Sequence, residues 1–334
     1  MRPTALLVLA SCAVLGAAPV RPAQETIAVL VSREVYLMGT RAQLSAYAVY
    51  ARDGFAKLES ALAALEETEE ELSTWRESSE ISALNRQPVG KPWLVTPRLC
   101  RTLAEIWKWH RETKGAFDPA IGKLLAAWDI HGEGAIPSTA AQAQAFASSG
   151  MALLAFDETA CTVTRRGDVA IDVGAFGKGE GLDRAAAALG DTPWMIDLGG
   201  QVSVGSRPAP GGWTIGLADP RRRDIPVLHV RMTSGSLATS AGSERDLAVN
   251  GARVGHILDP GTGHPAPFDG SVTVWHERGL VADILSTALY VMGPETGLRW
   301  AEARSIAACY LIPGRASTRM ESTPAFRRLI TAQE

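Results

Sequence analysis

A chain of 334 residues, 46% hydrophobic and 21% charged, with a mean hydropathy of +0.03, has the composition of a globular protein of one large or two small domains. Its formal charge of −3 and isoelectric point near 6.1 exclude a general attraction for nucleic acid or anionic lipid, so any polyanion must be held by a local site.

At the N-terminus, Arg2 precedes an apolar run at residues 5–10 that is too short to span a bilayer and reads as an export signal. Leu9-Ala10-Ser11-Cys12 resembles the lipobox of bacterial lipoproteins, in which the cysteine is lipidated and becomes the first residue. Residues 1–23 are therefore expected to be signal and tether, and 24–334 one exported domain. That domain is periplasmic, anchored to a membrane at Cys12 or otherwise soluble. The other cysteines, Cys100, Cys161 and Cys309, are odd in number and show no CxxC spacing. Buried apolar thiols are expected of them, rather than a disulfide framework or a zinc site.

The periodicity predicts strands at 27–31, 35–38 and 43–50, then a helix opened by Asp53 with Phe55, Leu58, Leu62 and Leu65 on one face. Ser73-Thr74-Trp75 follows, and Trp75 either stacks a planar ligand from a polar loop or lids the core. A short helix is expected at 79–85, and an amphipathic one at 97–114 carrying Leu99, Leu103, Ile106 and Trp107. The latter ends at Gly115-Ala116-Phe117-Asp118-Pro119, where the proline holds Asp118 out of helical conformation and presents its carboxylate at a turn. His110 reads as helix surface. A further helix at 138–149 starts at a Ser138 cap and stops at Gly150.

The most informative stretch is Ile171-Asp172-Val173-Gly174-Ala175-Phe176-Gly177-Lys178-Gly179, followed by a helix predicted over 180–189. Its three glycines let the backbone approach a ligand, unpaired helix N–H groups follow, and Lys178 adds a charge, so an anion site is expected. An ordinary strand-to-helix turn with a surface lysine is the competing reading. The phosphate loop GxxxxGK[ST] fails because Gly179 stands where its hydroxyl belongs, and the GxGxxG fingerprint does not fit 177–181.

Beyond it lie strands at 194–198, 213–217 and 227–231, with Gly199-Gly200 as a second glycine turn. Arg221-Arg222-Arg223 reads as a solvated turn, and 237–245 as a hydroxyl-rich loop. His256 sits beside a tight turn at 259–263 and is either structural or catalytic. The last helix, 280–293, is apolar nearly all round yet carries Asp283 and Thr287 on one face. No lysine or arginine lies within a turn of Asp283. A carboxylate, a hydroxyl, main-chain carbonyls and waters would suit Mg²⁺; alternatively Asp283 caps its helix and Thr287 bonds back to its own backbone.

Taken together, Met38-Gly39-Thr40, Ser73-Thr74-Trp75, Gly115 to Pro119, Asp172 with Gly177-Lys178-Gly179, Leu198-Gly199-Gly200, Ala238-Thr239-Ser240, His256-Ile257-Leu258-Asp259-Pro260 and Asp283 with Thr287 resemble, in order and spacing, the motifs of the ApbE family. That family comprises FAD:protein FMN transferases, which move FMN from FAD to a threonine hydroxyl of a target protein and release AMP. The resemblance implies a mixed α/β (α+β), T-fold-related architecture, with helices packed on mixed β-sheets and FAD in a cleft between the motif loops. It implies that Met38 and Trp75, the latter where the family usually has Tyr, flank the flavin. Ala116, Phe117 and Asp118 would line the FAD pocket, and Asp172 and Lys178 would contact the cofactor. Ala175, through its carbonyl, would hold Mg²⁺ with Asp283 and Thr287, and His256 and Ile257 would lie near the reacting phosphates. His256 is then the candidate base, with Asp283 second, and Lys178 and the metal neutralise the pyrophosphate.

Two departures stand out. The family's Thr-Ser-Gly-Asp-Tyr is Thr239-Ser240-Ala241-Gly242-Ser243 here, and its Asp-Pro-Thr-x-Gly-Pro is Asp118-Pro119-Ala120-Ile121-Gly122-Lys123. They bear on target choice or FAD affinity, and leave open a Mg²⁺-dependent FAD pyrophosphatase or a periplasmic FAD carrier without turnover. The expected partners are FAD and an exported acceptor protein, with no nucleic acid.

Overall fold

The computed structural model describes residues 28–206, 211–242, 246–249, 251–315 and 317–330. The export signal, the lipobox with Cys12, and Ser243 lie outside the described residues.

An eight-stranded sheet forms the frame. Its order is Val29–Leu37, Thr40–Ala48, Trp194–Leu198, Gln201–Gly205, Gly235–Ala241, Ser271–His276, Ala307–Pro313 and Thr318–Ser322. The architecture is mixed α/β, but every neighbouring pair in this sheet is antiparallel, whereas the resemblance implied mixed sheets. Two of its hairpins close through two residues in the left-handed region, Met38-Gly39 and Gly199-Gly200, with φ of 51° and 70°, and 60° and 87°. Such turns match the twist of paired strands. They put both glycine motifs at one end of adjacent strands. The segments expected at 27–31 and 35–38 are one continuous strand.

Alternation along the strands divides the core between two faces. Val272, Val274, Ala308 and Tyr310 pack under the helix Gly279–Glu302. Ala307, Cys309 and Leu311 face the other way, towards the hairpin Trp213–Ala218/Pro226–Met232. On the helical face, Ala51–Leu72 and Gly177–Leu189 cover the first three strands of the sheet order through Leu58, Leu65, Leu182 and Leu44. A further cluster joins Pro97–Glu112, a three-stranded sheet and the long late helix through Leu99, Leu103, Val163, Phe176 and Ile284. The late helix breaks at Gly293, where φ is 72°, ahead of Pro294. No described helix is long and apolar enough to cross a membrane.

One expectation is overturned. Cys100, on the helix Pro97–Glu112, is disulfide-bonded to Cys161, which precedes the strand Thr162–Arg165. The partners are 61 residues apart, and Val163, two residues after Cys161, packs in the same cluster as Leu99 and Leu103 near Cys100. Cys309 alone behaves as the expected buried thiol, and burial pushes its pKa up to about 12. The hydroxyl-rich segment is also not a loop. Residues 235–241 form a central strand, whose Thr239 pairs with Thr273 at 2.8 Å and whose Ser240 pairs with Ser286 at 2.9 Å.

Candidate functional site

The helix after the glycine stretch starts at Gly177, three residues earlier than expected, so Lys178 and Gly179 belong to its first turn. Its own N-cap, Phe176, offers no side-chain hydrogen bond. The cap comes from the late helix: Asp283 Oδ2 accepts the N–H of Gly179 at 3.0 Å. The late helix is uncapped by its own Arg278 too, and Asp183 accepts the N–H groups of Gly279 and, at 3.3 Å, Leu280. Each helix therefore satisfies the other's orphan donors. Burial pushes the Asp183 carboxyl up, opposed by the Gly279 N–H, Arg278 and the Leu280 N–H.

Such an exchange requires the two backbones to touch. A Cβ on Gly179 would lie 2.3 Å from the Gly279 carbonyl oxygen, and one on Gly279 would lie 2.8 Å from that of Gly179. Lys178 Nζ then reaches Asp283 Oδ1 at 3.5 Å. No lysine or arginine lies within a turn of Asp283 in sequence, and its cationic partner comes instead from 105 residues earlier in the chain. Asp283 does not cap its own helix, and Ser286, not Thr287, bonds back to the Asp283 carbonyl, at 3.0 Å.

Beside this crossing opens a cavity of about 1160 Å³, solvent at its mouth included. Ala116, Phe117, Asp118, Asp172, Ala175, Lys178, His256, Ile257, Asp283 and Thr287 all line it. Ala175, Asp283 and Thr287, which between them carry a main-chain carbonyl, a carboxylate and a hydroxyl, all belong to this lining. Among the described residues no cluster of three or more His, Cys, Asp or Glu could hold a metal by itself. Oxygen donors in this number fit Mg²⁺, which keeps several waters or ligand phosphates in its shell.

Not every expected residue faces the cavity. Met38 is not among its lining residues; its thioether packs on the helix, so that a Cβ on Gly181 would meet Met38 Sδ at 3.2 Å. Its N–H binds Glu69 at 2.9 Å, and Glu69 also holds Arg76 at 2.7 Å, next to Trp75. Trp75 does not lid the core. It is 72% exposed and meets His131, a cavity residue, edge-on at 5.2 Å. The Asp118 carboxylate is turned to its own loop, accepting the N–H groups of Ala120 at 2.8 Å and Met151 at 2.9 Å. Burial raises its pKa; the Met151 N–H, the charge of His110 and the Ala120 N–H oppose that. His110 is not simple helix surface, since its Nδ1 lies 3.0 Å from the Phe117 carbonyl.

Two residues escaped the sequence reading. His131 Nε2 lies 3.0 Å from Asp172 Oδ2, whose other oxygen accepts the Gly174 N–H at 2.8 Å. Gln201 is 2% exposed and lines the cavity; its amide donates to the Gly279 carbonyl at 2.9 Å, and its Oε1 has no partner. A buried acceptor without a donor marks a place for a ligand, water or cation. The only signal for Gln201 was its place directly after Gly199-Gly200. His131 had none beyond being one of six histidines.

Comparison with known proteins points the same way. The sequence profile of the ApbE family matches residues 38–311. An FAD:protein FMN transferase of Haemophilus influenzae is 26% identical over 286 residues, covering 81% of this chain and 83% of the relative. One from Treponema pallidum is 30% identical over 288 residues, covering 79% of each. The crystal structure of an ApbE protein from Thermotoga maritima superposes with a TM-score of 0.85 at 26% identity, over 91% of this chain and 100% of that one.

The glycine contact makes a direct prediction. Gly179→Ala places a methyl group against backbone, which cannot move as a side chain tip can, and should lower the unfolding free energy by about 1–3 kcal/mol. Urea denaturation measures this, and an unchanged midpoint would show that the helices do not cross so closely.

Proposed function

The chain belongs to the ApbE family, and from that premise we propose that it is a Mg²⁺-dependent FAD:protein FMN transferase. It transfers FMN from FAD to a threonine hydroxyl of an exported acceptor protein and releases AMP. The observation that carries this reading is the helix crossing, which brings Lys178 and the first turn of one helix beside Asp283 of the other on a single cavity wall.

In this reading the diphosphate lies against the 172–178 segment. The positive end of the helix and Lys178 offset its charge and hold the phosphorus in line with the incoming oxygen. Ala175, Asp283 and Thr287 would hold Mg²⁺, which would supply positive charge to the phosphoryl oxygens and the leaving AMP. Ala116, Phe117 and Asp118 wall the pocket, Asp118 acting through its fixed loop and not through a free carboxylate. Asp172 shapes the site from behind His131, and Trp75 offers its exposed ring at the flavin end, with Met38 supporting the hairpin behind it. His256, beside Ile257, is the base for the acceptor hydroxyl. Asp283 is the weaker candidate because the same carboxylate is assigned to the metal and faces Lys178.

The Cys100–Cys161 bond supports an oxidising, exported location, since such bonds seldom persist in the cytosol. We place the protein in the periplasm, held to a membrane by a lipid on Cys12. A Cys12→Ser variant should then leave the membrane fraction for the soluble one; retention there would rule out this anchor.

The activity is tested by incubating the protein with FAD, Mg²⁺ and a candidate acceptor, then assaying AMP and acid-stable flavin on the acceptor. Both products are expected together. AMP without bound flavin would indicate an FAD pyrophosphatase, and neither product a carrier. Asp283→Ala should reduce AMP release by about 10²-fold or more, by loss of metal and of charge stabilisation. Unchanged release would remove Asp283 from the metal site.

A further inference from the structure

Two histidines that line the cavity are each paired with an aspartate, His131 with Asp172 and His256 with Asp246. They differ in which ring nitrogen is held. In the first, the carboxylate faces Nε2, the ring meets Trp75, and the imidazole is 42% exposed. In the second, one oxygen, Asp246 Oδ1, faces His256 Nδ1 at 3.1 Å and also accepts the His256 backbone N–H at 3.2 Å.

We propose that Asp246 is the positioning residue that makes His256 a base, by fixing its ring and tautomer so that Nε2 presents its lone pair to the acceptor hydroxyl. The inference rests on the transferase reading above. A carboxylate can only accept, so Nδ1 carries the proton and Nε2 is left as the acceptor. Asp246 is 9% exposed along its side chain, which limits competition from water, while His256 is 20% exposed and lines the cavity. The short hairpin Leu247–Val249/Ala252–Val254 returns the chain so that residues ten apart meet. Holding backbone and ring with one oxygen leaves the imidazole little freedom to swing. A base oriented in turn by a third group is the arrangement that activates a hydroxyl nucleophile.

As the threonine oxygen bonds to the FMN-side phosphorus, its proton passes to His256 Nε2. The bond from that phosphorus to the bridging oxygen breaks, and AMP leaves with that oxygen and its electron pair. The imidazolium, steadied by the Asp246 carboxylate, returns the proton to the departing phosphate.

Three variants test the pair on the whole protein with FAD, Mg²⁺ and acceptor: Asp246→Asn, His256→Ala and the double substitution. Asp246→Asn should slow FMN transfer by about 10²–10⁴-fold. FAD affinity, read by flavin fluorescence, should stay within about twofold, and on the His256→Ala background the change should cost nothing further. A merely structural Asp246 would instead alter affinity or add its loss to that of His256→Ala, and either result overturns the proposal. Nitrogen NMR of the wild-type histidines needs no variant and is expected to report the Nδ1–H tautomer for His256; the Nε2–H tautomer also overturns it. Failure of the wild type to release AMP or modify the acceptor would count against the transferase reading itself, and leaves the NMR test of the pair intact.

Discussion

Everything at the site depends on one contact, the crossing of two helix N-termini at Gly179 and Gly279 with their capping carboxylates exchanged. A helix start leaves N–H groups that cost about 1–3 kcal/mol each if buried and unpaired. Here neither helix has a capping side chain of its own, and Asp183 and Asp283 serve each other's helix. The same bonds therefore hold the fold and set the site. They bring Lys178 and the first turn of one helix beside the carboxylate of the other, and Thr287 follows one turn along on the cavity side.

The remaining walls are built so that polar groups are fixed before any ligand arrives. Asp118 spends its carboxylate on Ala120 and Met151, and Asp172 is held between Gly174 and His131. Thr239 and Ser240 pair across to Thr273 and Ser286. Gln201 Oε1, buried in the cavity lining, is left without a partner. Preorganised dipoles of this kind cost no reorganisation during reaction.

The parts of the fold legible in the sequence were those decided locally. The strand at 194–198 and the Ser138-capped helix were read to within a residue or two of their ends, because apolar runs, caps and glycine stops act over a few residues. The parts missed were decided by distant partners. Gly177-Lys178-Gly179 read as a loop because glycine disfavours helix, yet the carboxylate of Asp283 pulls it into the first turn. Residues 237–241 read as a loop because hydroxyls are common in turns, yet their cross-strand partners make a central strand. The family resemblance located most of the cavity residues. It said nothing of His131, Gln201 or Asp246, and the Cys100–Cys161 bond was hidden by an odd cysteine count.

On the proposed reading, this cavity recognises a diphosphate through Lys178 and the helix whose first turn carries it. Calorimetric titration of the protein with FAD, FMN and riboflavin in the presence of Mg²⁺ tests it most directly. FAD is expected to bind at least about 100-fold more tightly than riboflavin, roughly 2.7 kcal/mol, with FMN between them. Lys178→Met should remove much of the FAD advantage while leaving riboflavin unaffected. Equal affinities for FAD and riboflavin, or an FAD affinity indifferent to Lys178, would contradict it.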